Sequence, residues 1–188
     1  MADQFSLFAA APRLQEGFTY QADLITLAEE TALVTILVDL PLQAFAFRGY
    51  VGRRWVVSFG MEYNFAREQV RPTEPLPRFL RGLREKASAV AGLMPSDLPH
   101  ALVTEYGPDA AIGWHRDKGV FEDVLGVSLL ALCLFRLRRR HGTKWERASL
   151  TLELRSVYLL RGPARTEWEH SIPAVDSPTY SITFWSMR

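Results

Sequence analysis

The chain is poor in cysteine, in histidine and in net charge. Cys133 is its single cysteine, which excludes an intramolecular disulfide framework, and its place in the apolar run 129–135 marks it as a core thiol. No apolar run approaches the roughly 20 residues of a membrane-spanning helix. The first residues carry no basic segment followed by an apolar stretch of the signal-peptide kind. A cytoplasmic protein with no membrane contact is expected. The 22 Lys and Arg against 21 Asp and Glu leave a formal charge of +1, which excludes a chain that coats nucleic acid by bulk charge. There is no internal repeat and no low-complexity tract. With 48% hydrophobic and 23% charged residues in 188, the chain can bury a core without staples. One domain over 1–188, as a monomer, is expected.

Charge is concentrated locally. Arg136, Arg138, Arg139, Arg140 and Lys144 surround a turn at His141-Gly142, and Arg53-Arg54 follow Gly52. Such clusters can hold a phosphate backbone or simply solvate a hairpin end.

The pattern along the chain predicts helices early and strands late. The first dozen residues read as a loose arm. Thr26-Leu27-Ala28-Glu29 fits a capping box, with Leu33, Ile36, Leu37 and Leu40 at helical spacing and Pro41 as the stop. Phe45, Phe47 and then 55–59 read as two strands around a 49–52 turn. Leu76, Phe79, Leu80, Leu83, Ala87 and Val90 form the apolar stripe of a second helix, ended near Gly92 and Pro95. Short strands follow at 101–106, 126–137, 149–154, 156–160 and 180–185. Helices outside a strand-rich C-terminal half argue an α+β fold with a jelly-roll core.

The four histidines are unequal. His115-Arg116-Asp117 places an imidazole and a carboxylate two residues apart, on one face of a strand. His170, 55 residues after the first histidine, can close three corners of an octahedron. That 2-His-1-carboxylate set suits non-haem Fe(II) and leaves three adjacent positions open. His100 and His141 have no partner at ligand spacing and read as structural or exposed. Tyr106-Gly107-Pro108 precedes the motif, and His170 stands in Glu167-Trp168-Glu169-His170-Ser171-Ile172-Pro173. Tyr180-Ser181-Ile182-Thr183-Phe184 closes the chain.

In these motifs, over about residues 15–188, the sequence resembles the AlkB family of 2-oxoglutarate- and Fe(II)-dependent oxygenases. The resemblance implies a double-stranded β-helix, with helices and a substrate lid in 1–95 and the jelly-roll core with the iron site in 96–188. It implies Fe(II) bound by His115, Asp117 and His170, and 2-oxoglutarate as co-substrate. It also implies oxidative demethylation of alkylated bases in DNA or RNA, releasing succinate, CO2 and formaldehyde. Tyr106 matches the tyrosine that meets the distal carboxylate of 2-oxoglutarate.

Some positions depart from the pattern. Thr104 stands where the family usually has Asn, and Gly119 where an acidic residue often reads the base. The closing strand usually reads R-x-[NS]-x-T-x-R; Ser181 and Thr183 fit, but Thr179 and Trp185 replace both arginines. Arg188 is the candidate substitute, and Trp185→Arg is expected to tighten the co-substrate. Arg53, Arg54, Trp55 and Tyr63, with Phe59, fall in the lid region, where aromatics would stack a base and arginines would hold phosphates. Two other functions fit the residues: a hydroxylase of a protein or small molecule, and a nucleic-acid-binding protein with a weakened oxygenase site.

Overall fold

The computed structural model describes residues 15–47, 50–64 and 67–188, with the backbone alone at 46–47 and 50–52. The expected N-terminal arm and the tip of the 49–52 turn lie outside the described residues. The elements in chain order are β1 (Phe18–Gln21), α1 (Leu27–Leu37), β2 (Gln43–Phe47), β3 (Tyr50–Phe59), β4 (Met61–Asn64), β5 (Gln69–Pro72) and α2 (Arg81–Ala91). They continue with β6 (His100–Tyr106), β7 (Ile112–His115), β8 (Phe121–Leu129), β9 (Cys133–His141), β10 (Lys144–Leu152), β11 (Val157–Leu160), α3 (Gly162–Thr166), β12 (Glu169–Ile172) and β13 (Thr179–Met187).

Capping chemistry starts α1 where the sequence places it. The Glu29 amide donates to Thr26 Oγ1 at 3.2 Å, and the Thr26 amide to Glu29 Oε2 at 2.8 Å. Glu29 also pairs with Lys86 of α2 at 2.6 Å, joining the two helices. Leu33 and Leu37 are buried, but Ile36 is 39% exposed, so the apolar stripe of α1 is narrower than its spacing suggests. Gly92 ends α2 in the left-handed region at φ 65°, the conformation that glycine adopts without a Cβ penalty.

Seven strands form one sheet in the order β1-β11-β8-β13-β6-β3-β2, and four form a second in the order β10-β9-β12-β7. One apolar cluster joins α1 and α2 to the outer face of the larger sheet through Ala101, Val103, Leu125, Val127, Ile182 and Phe184. A second fills the space between the sheets with Phe18, Val124, Phe135, Leu137, Leu160 and Trp185, and a small third gathers Tyr106, Ala110 and Val175. The larger sheet is thus covered on both faces, which explains why every residue of β8 except Glu122 is buried. This is the expected jelly-roll core with helices packed outside.

Several boundaries differ from expectation. Residue 95 is no structural border: β1 pairs with β11 and β3 with β6, so the N-terminal half supplies strands to the main sheet. Gly52 lies within β3 and not in a turn. The single strand expected over 126–137 is two strands, β8 in one sheet and β9 in the other. The corner between them holds Leu130 at φ 69°. Buried Glu30 of α1 secures that corner by accepting the Leu130 amide at 2.8 Å, and it accepts Arg155 Nη1 at 3.1 Å. No glycine marks the corner, so nothing local announces it.

Candidate active site

The sheet register brings the metal-type residues together. His170 of β12 is the direct cross-strand partner of His115, the last residue of β7. Asp117 lies two residues beyond the end of β7, not within it. One ligand atom from each of the three lies within 4.8 Å of the others, and His170 Nε2 stands 3.7 Å from Asp117 Oδ2. His115 Nδ1 is 2.9 Å from the Gly113 carbonyl. A carbonyl can only accept, so that nitrogen carries the proton and Nε2 is left as the ligand. Burial pushes the His170 imidazole down to about 4, with Asp117 opposing and His115 and Arg165 adding to the shift. A neutral imidazole is the form a metal requires. Asp117 Oδ2 is buried with no hydrogen-bond partner, a costly arrangement that a bound cation relieves. The three residues fit Fe(II).

Side chains assigned no part in the metal site from the sequence shape this centre. Trp185 Nε1 donates to Asp117 Oδ1 at 3.3 Å, while the Trp185 ring stacks on His100 at 4.6 Å and tilts against Phe121 at 5.4 Å. At one of the two missing arginine positions, then, an indole orients the metal carboxylate. The expectation for Trp185→Arg changes accordingly, because that replacement removes a support of Asp117. Buried Arg165 donates through Nη2 to the Lys118 and Phe121 carbonyls, holding the loop that follows Asp117. Phe135 stacks on His170 at 5.3 Å and meets Tyr158 at 4.6 Å. Tyr158 occupies the space over Gly126, where any Cβ would lie 2.3 Å from its ring. Burial, then Asp117 and Tyr106, push the Tyr158 phenol well up, so it remains protonated. Of these, only Gly126 within an apolar strand was a local signal of close approach.

The co-substrate candidates part company. Tyr106 is buried, and its hydroxyl lies 3.2 Å from Ser181 Oγ. It pairs across strands with Thr179 on one side and Arg54 on the other. Arg188 is exposed beyond the far end of β13, its amide bonded to the Val120 carbonyl. The structure therefore does not bring Arg188 to Tyr106.

The lid residues also divide. Arg53 and Arg54, adjacent on a strand, face opposite ways. Arg54 lies on the Tyr106 face, inside. Arg53 and Trp55 lie on the other, with exposed Arg53 paired to Asp109 at 2.8 Å. Trp55 is 39% exposed and packs over the Gly107 backbone. Phe59 is buried edge-on to Phe79 at 6.3 Å and belongs to the helix-facing core. Tyr63 of the β4–β5 hairpin stands at the rim of the metal loop, its ring 6.2 Å from Phe121 and 5.5 Å from Lys118 Nζ. His100 is buried with both nitrogens unpartnered, and His141 is exposed at the β9–β10 turn. Two cations of the basic cluster near that turn are paired to carboxylates, Arg138 to Glu169 at 2.6 Å, and Arg139 to Glu146 at 2.9 Å and Glu167 at 2.7 Å, while Arg136 donates to the Ser171 hydroxyl and Arg140 to the Gly142 carbonyl.

Comparison with known proteins agrees with this geometry. The sequence pattern described as the 2OG-Fe(II) oxygenase superfamily matches residues 44–185. An Arabidopsis thaliana protein named alkylated DNA repair protein ALKBH8 homolog is 27% identical over 183 residues, covering 84% of this chain and 51% of that relative. The chain thus spans about half the length of the curated relative it matches. The solved structure of OsALKBH1 superposes with a TM-score of 0.72 at 14% identity, over 92% of this chain and 98% of that one, and shows the same fold. No helix among the described residues is long and apolar enough to cross a membrane. The chain belongs to the 2OG-Fe(II) oxygenase superfamily, as an AlkB-like dioxygenase that uses Fe(II) and 2-oxoglutarate.

Proposed function

We propose that this dioxygenase oxidatively demethylates alkylated bases of DNA or RNA, as a monomer in the cytoplasm, with residues 1–188 forming one oxygenase domain. His115, Asp117 and His170 would hold Fe(II), whose chemistry when bound is the activation of O2 at the expense of 2-oxoglutarate. The observation that carries the substrate reading is the aromatic and cationic rim beside the metal loop. Tyr63 stands beside Lys118, the residue after Asp117, so a base stacked on the phenol ring would sit next to the metal residues. Base–aromatic stacking contributes about 1–3 kcal/mol per base and tolerates any base identity. Arg53 is free to exchange its exposed partner Asp109 for a phosphate, because a surface ion pair contributes only about 0–1 kcal/mol, and Trp55 flanks it. The name of the Arabidopsis relative, an alkylated DNA repair protein homolog, points the same way.

One observation favours the hydroxylase alternative. Arg138 and Arg139 are already paired with glutamates, which lowers the positive field available to a polyanion. The test is to load the protein with Fe(II) and measure succinate and formaldehyde with methylated and unmethylated oligonucleotide. Both products rising together with the methylated strand alone supports demethylation. Succinate without formaldehyde, indifferent to the oligonucleotide, turns the reading to the hydroxylase. No succinate at all turns it to a binding protein with a weakened site. In the first case Arg53→Ala should reduce the slope of log affinity against log salt by about 0.7–0.9.

A further inference from the structure

We infer that Arg54, reaching inward from β3, supplies the guanidinium that grips the distal carboxylate of 2-oxoglutarate beside Tyr106. This assignment rests on the co-substrate of the superfamily and is independent of whether the oxidised substrate is a nucleic acid.

Arg54 is the cross-strand partner of Tyr106, and Thr179 is the partner of Tyr106 on its other side. Cross-strand partners share a face of the sheet, so Arg54, Tyr106 and Thr179 form one row. The next row holds Val56, Thr104 and Ser181, and the Tyr106 hydroxyl meets Ser181 Oγ at 3.2 Å. This face is the interior one, since Trp185 further along β13 reaches Asp117. A guanidinium missing from one neighbour of Tyr106 can therefore be supplied by the other without moving the tyrosine.

The state of the guanidinium calls for an anion. Its carbon lies 3.8 Å above the Phe45 ring. A guanidinium held over an aromatic ring keeps its edge N–H donors available for a carboxylate, which that fork engages through two bonds. The side chain is half-buried, and burial lowers its affinity for the proton, with Tyr106 opposing. Yet among the described residues no carboxylate pairs with it. Arg53, Arg71, Arg138, Arg139, Arg155 and Arg161 all have such partners. A partly desolvated cation next to buried hydroxyls, without a counter-charge, is costly unless a ligand supplies the charge. The Arg54 cation acts on the phenol as well, lowering the Tyr106 pKa against the larger effect of burial. Tyr158 packs on Phe135, which stacks in turn on the metal residue His170, and its phenol senses both Asp117 and Tyr106. A dicarboxylate with one end at the metal would thus direct the other toward Tyr106 and Arg54.

The experiment compares two ligands that differ only at that end. Isothermal titration of the anaerobic Fe(II)-loaded protein is carried out with 2-oxoglutarate and with 2-oxopentanoate, which has a methyl group in place of the distal carboxylate. Arg54→Met should weaken 2-oxoglutarate binding roughly 10- to 100-fold and leave 2-oxopentanoate binding unchanged. Arg54→Lys, which keeps the charge but loses the fork, should fall between, and it carries the test if the methionine variant does not fold. An equal loss for both ligands would mean that Arg54 acts through the fold, and no loss for 2-oxoglutarate would mean that another cation holds it. Either result overturns the assignment, while leaving the demethylation assay to be judged on its own.

Discussion

The two faces of the seven-stranded sheet are built from the same strands to opposite ends. On the helix side, β6 and β13 present Ala101, Val103, Ile182 and Phe184, all fully buried. On the inner side the same two strands present His100, Thr104, Tyr106, Ser181 and Trp185. Alternation within one strand therefore separates a dry packing layer from a layer of hydrogen-bonding groups aimed at the metal residues and the co-substrate pocket. Changes on the outer face should act on stability and leave the chemistry of each folded molecule alone. Changes on the inner face should do the reverse. The substitutions below are chosen to break that contrast.

Loss of a metal-type residue gives the largest effect. His115→Ala, Asp117→Ala or His170→Ala should abolish turnover and tight Fe(II) binding while far-ultraviolet circular dichroism stays unchanged. Tight stoichiometric binding by the His170 variant would show that the metal is held elsewhere. On the outer face, Phe184→Ala should cost about 3–5 kcal/mol in urea unfolding, with wild-type Fe(II) affinity in the molecules that remain folded. A large loss of metal affinity there would erase the distinction between the faces.

Much of this contrast was legible in the sequence. The capping box at Thr26, the stop at Gly92 and the His115/Asp117/His170 set are signals of local chemistry, and each is found in the structure. What could not be read depends on register and on the path of the chain. Leu130 turns the corner between the sheets because a glutamate 100 residues away accepts its amide. Arg54 and Arg53 look like a pair, yet only their positions on β3 relative to Tyr106 decide which one faces inward. At Trp185 the sequence shows a missing arginine, and only the folded chain shows an indole bonded to Asp117.

Trp185 thus sharpens the comparison from the inner side. Trp185→Arg should lower Fe(II) affinity about 10- to 100-fold, the usual cost of removing a group that orients a metal ligand. The melting midpoint of the metal-free protein should fall too, because the indole is also a buried core side chain, so iron affinity is compared in the molecules that remain folded. Tighter 2-oxoglutarate binding with unchanged iron affinity would instead restore the arginine reading taken from the sequence alone.

His100 gives the smallest effect at neutral pH, and its sign is fixed by its surroundings. Burial drives its imidazole down to about 4, with Asp117 opposing, and neither ring nitrogen has a partner. Between pH 6.5 and 4 the unfolded chain takes up a proton here that the folded chain refuses. The stabilisation is therefore complete above pH 6.5 and is lost as the pH falls through that window, amounting to about 2 kcal/mol by pH 5. His170 contributes in the same direction in the metal-free protein, so the two must be separated. His100→Phe does so: a phenyl ring can keep the contacts with Trp185 and Phe121 and cannot be protonated. The variant should match or exceed wild-type stability at pH 7, because two unsatisfied buried nitrogens are removed. Between pH 7 and pH 5 it should lose about 2 kcal/mol less than the wild type, as measured by urea unfolding of the metal-free proteins. Parallel losses in the two proteins would mean that His100 is protonated as readily folded as unfolded, and that this part of the inner face is wetter than its packing indicates.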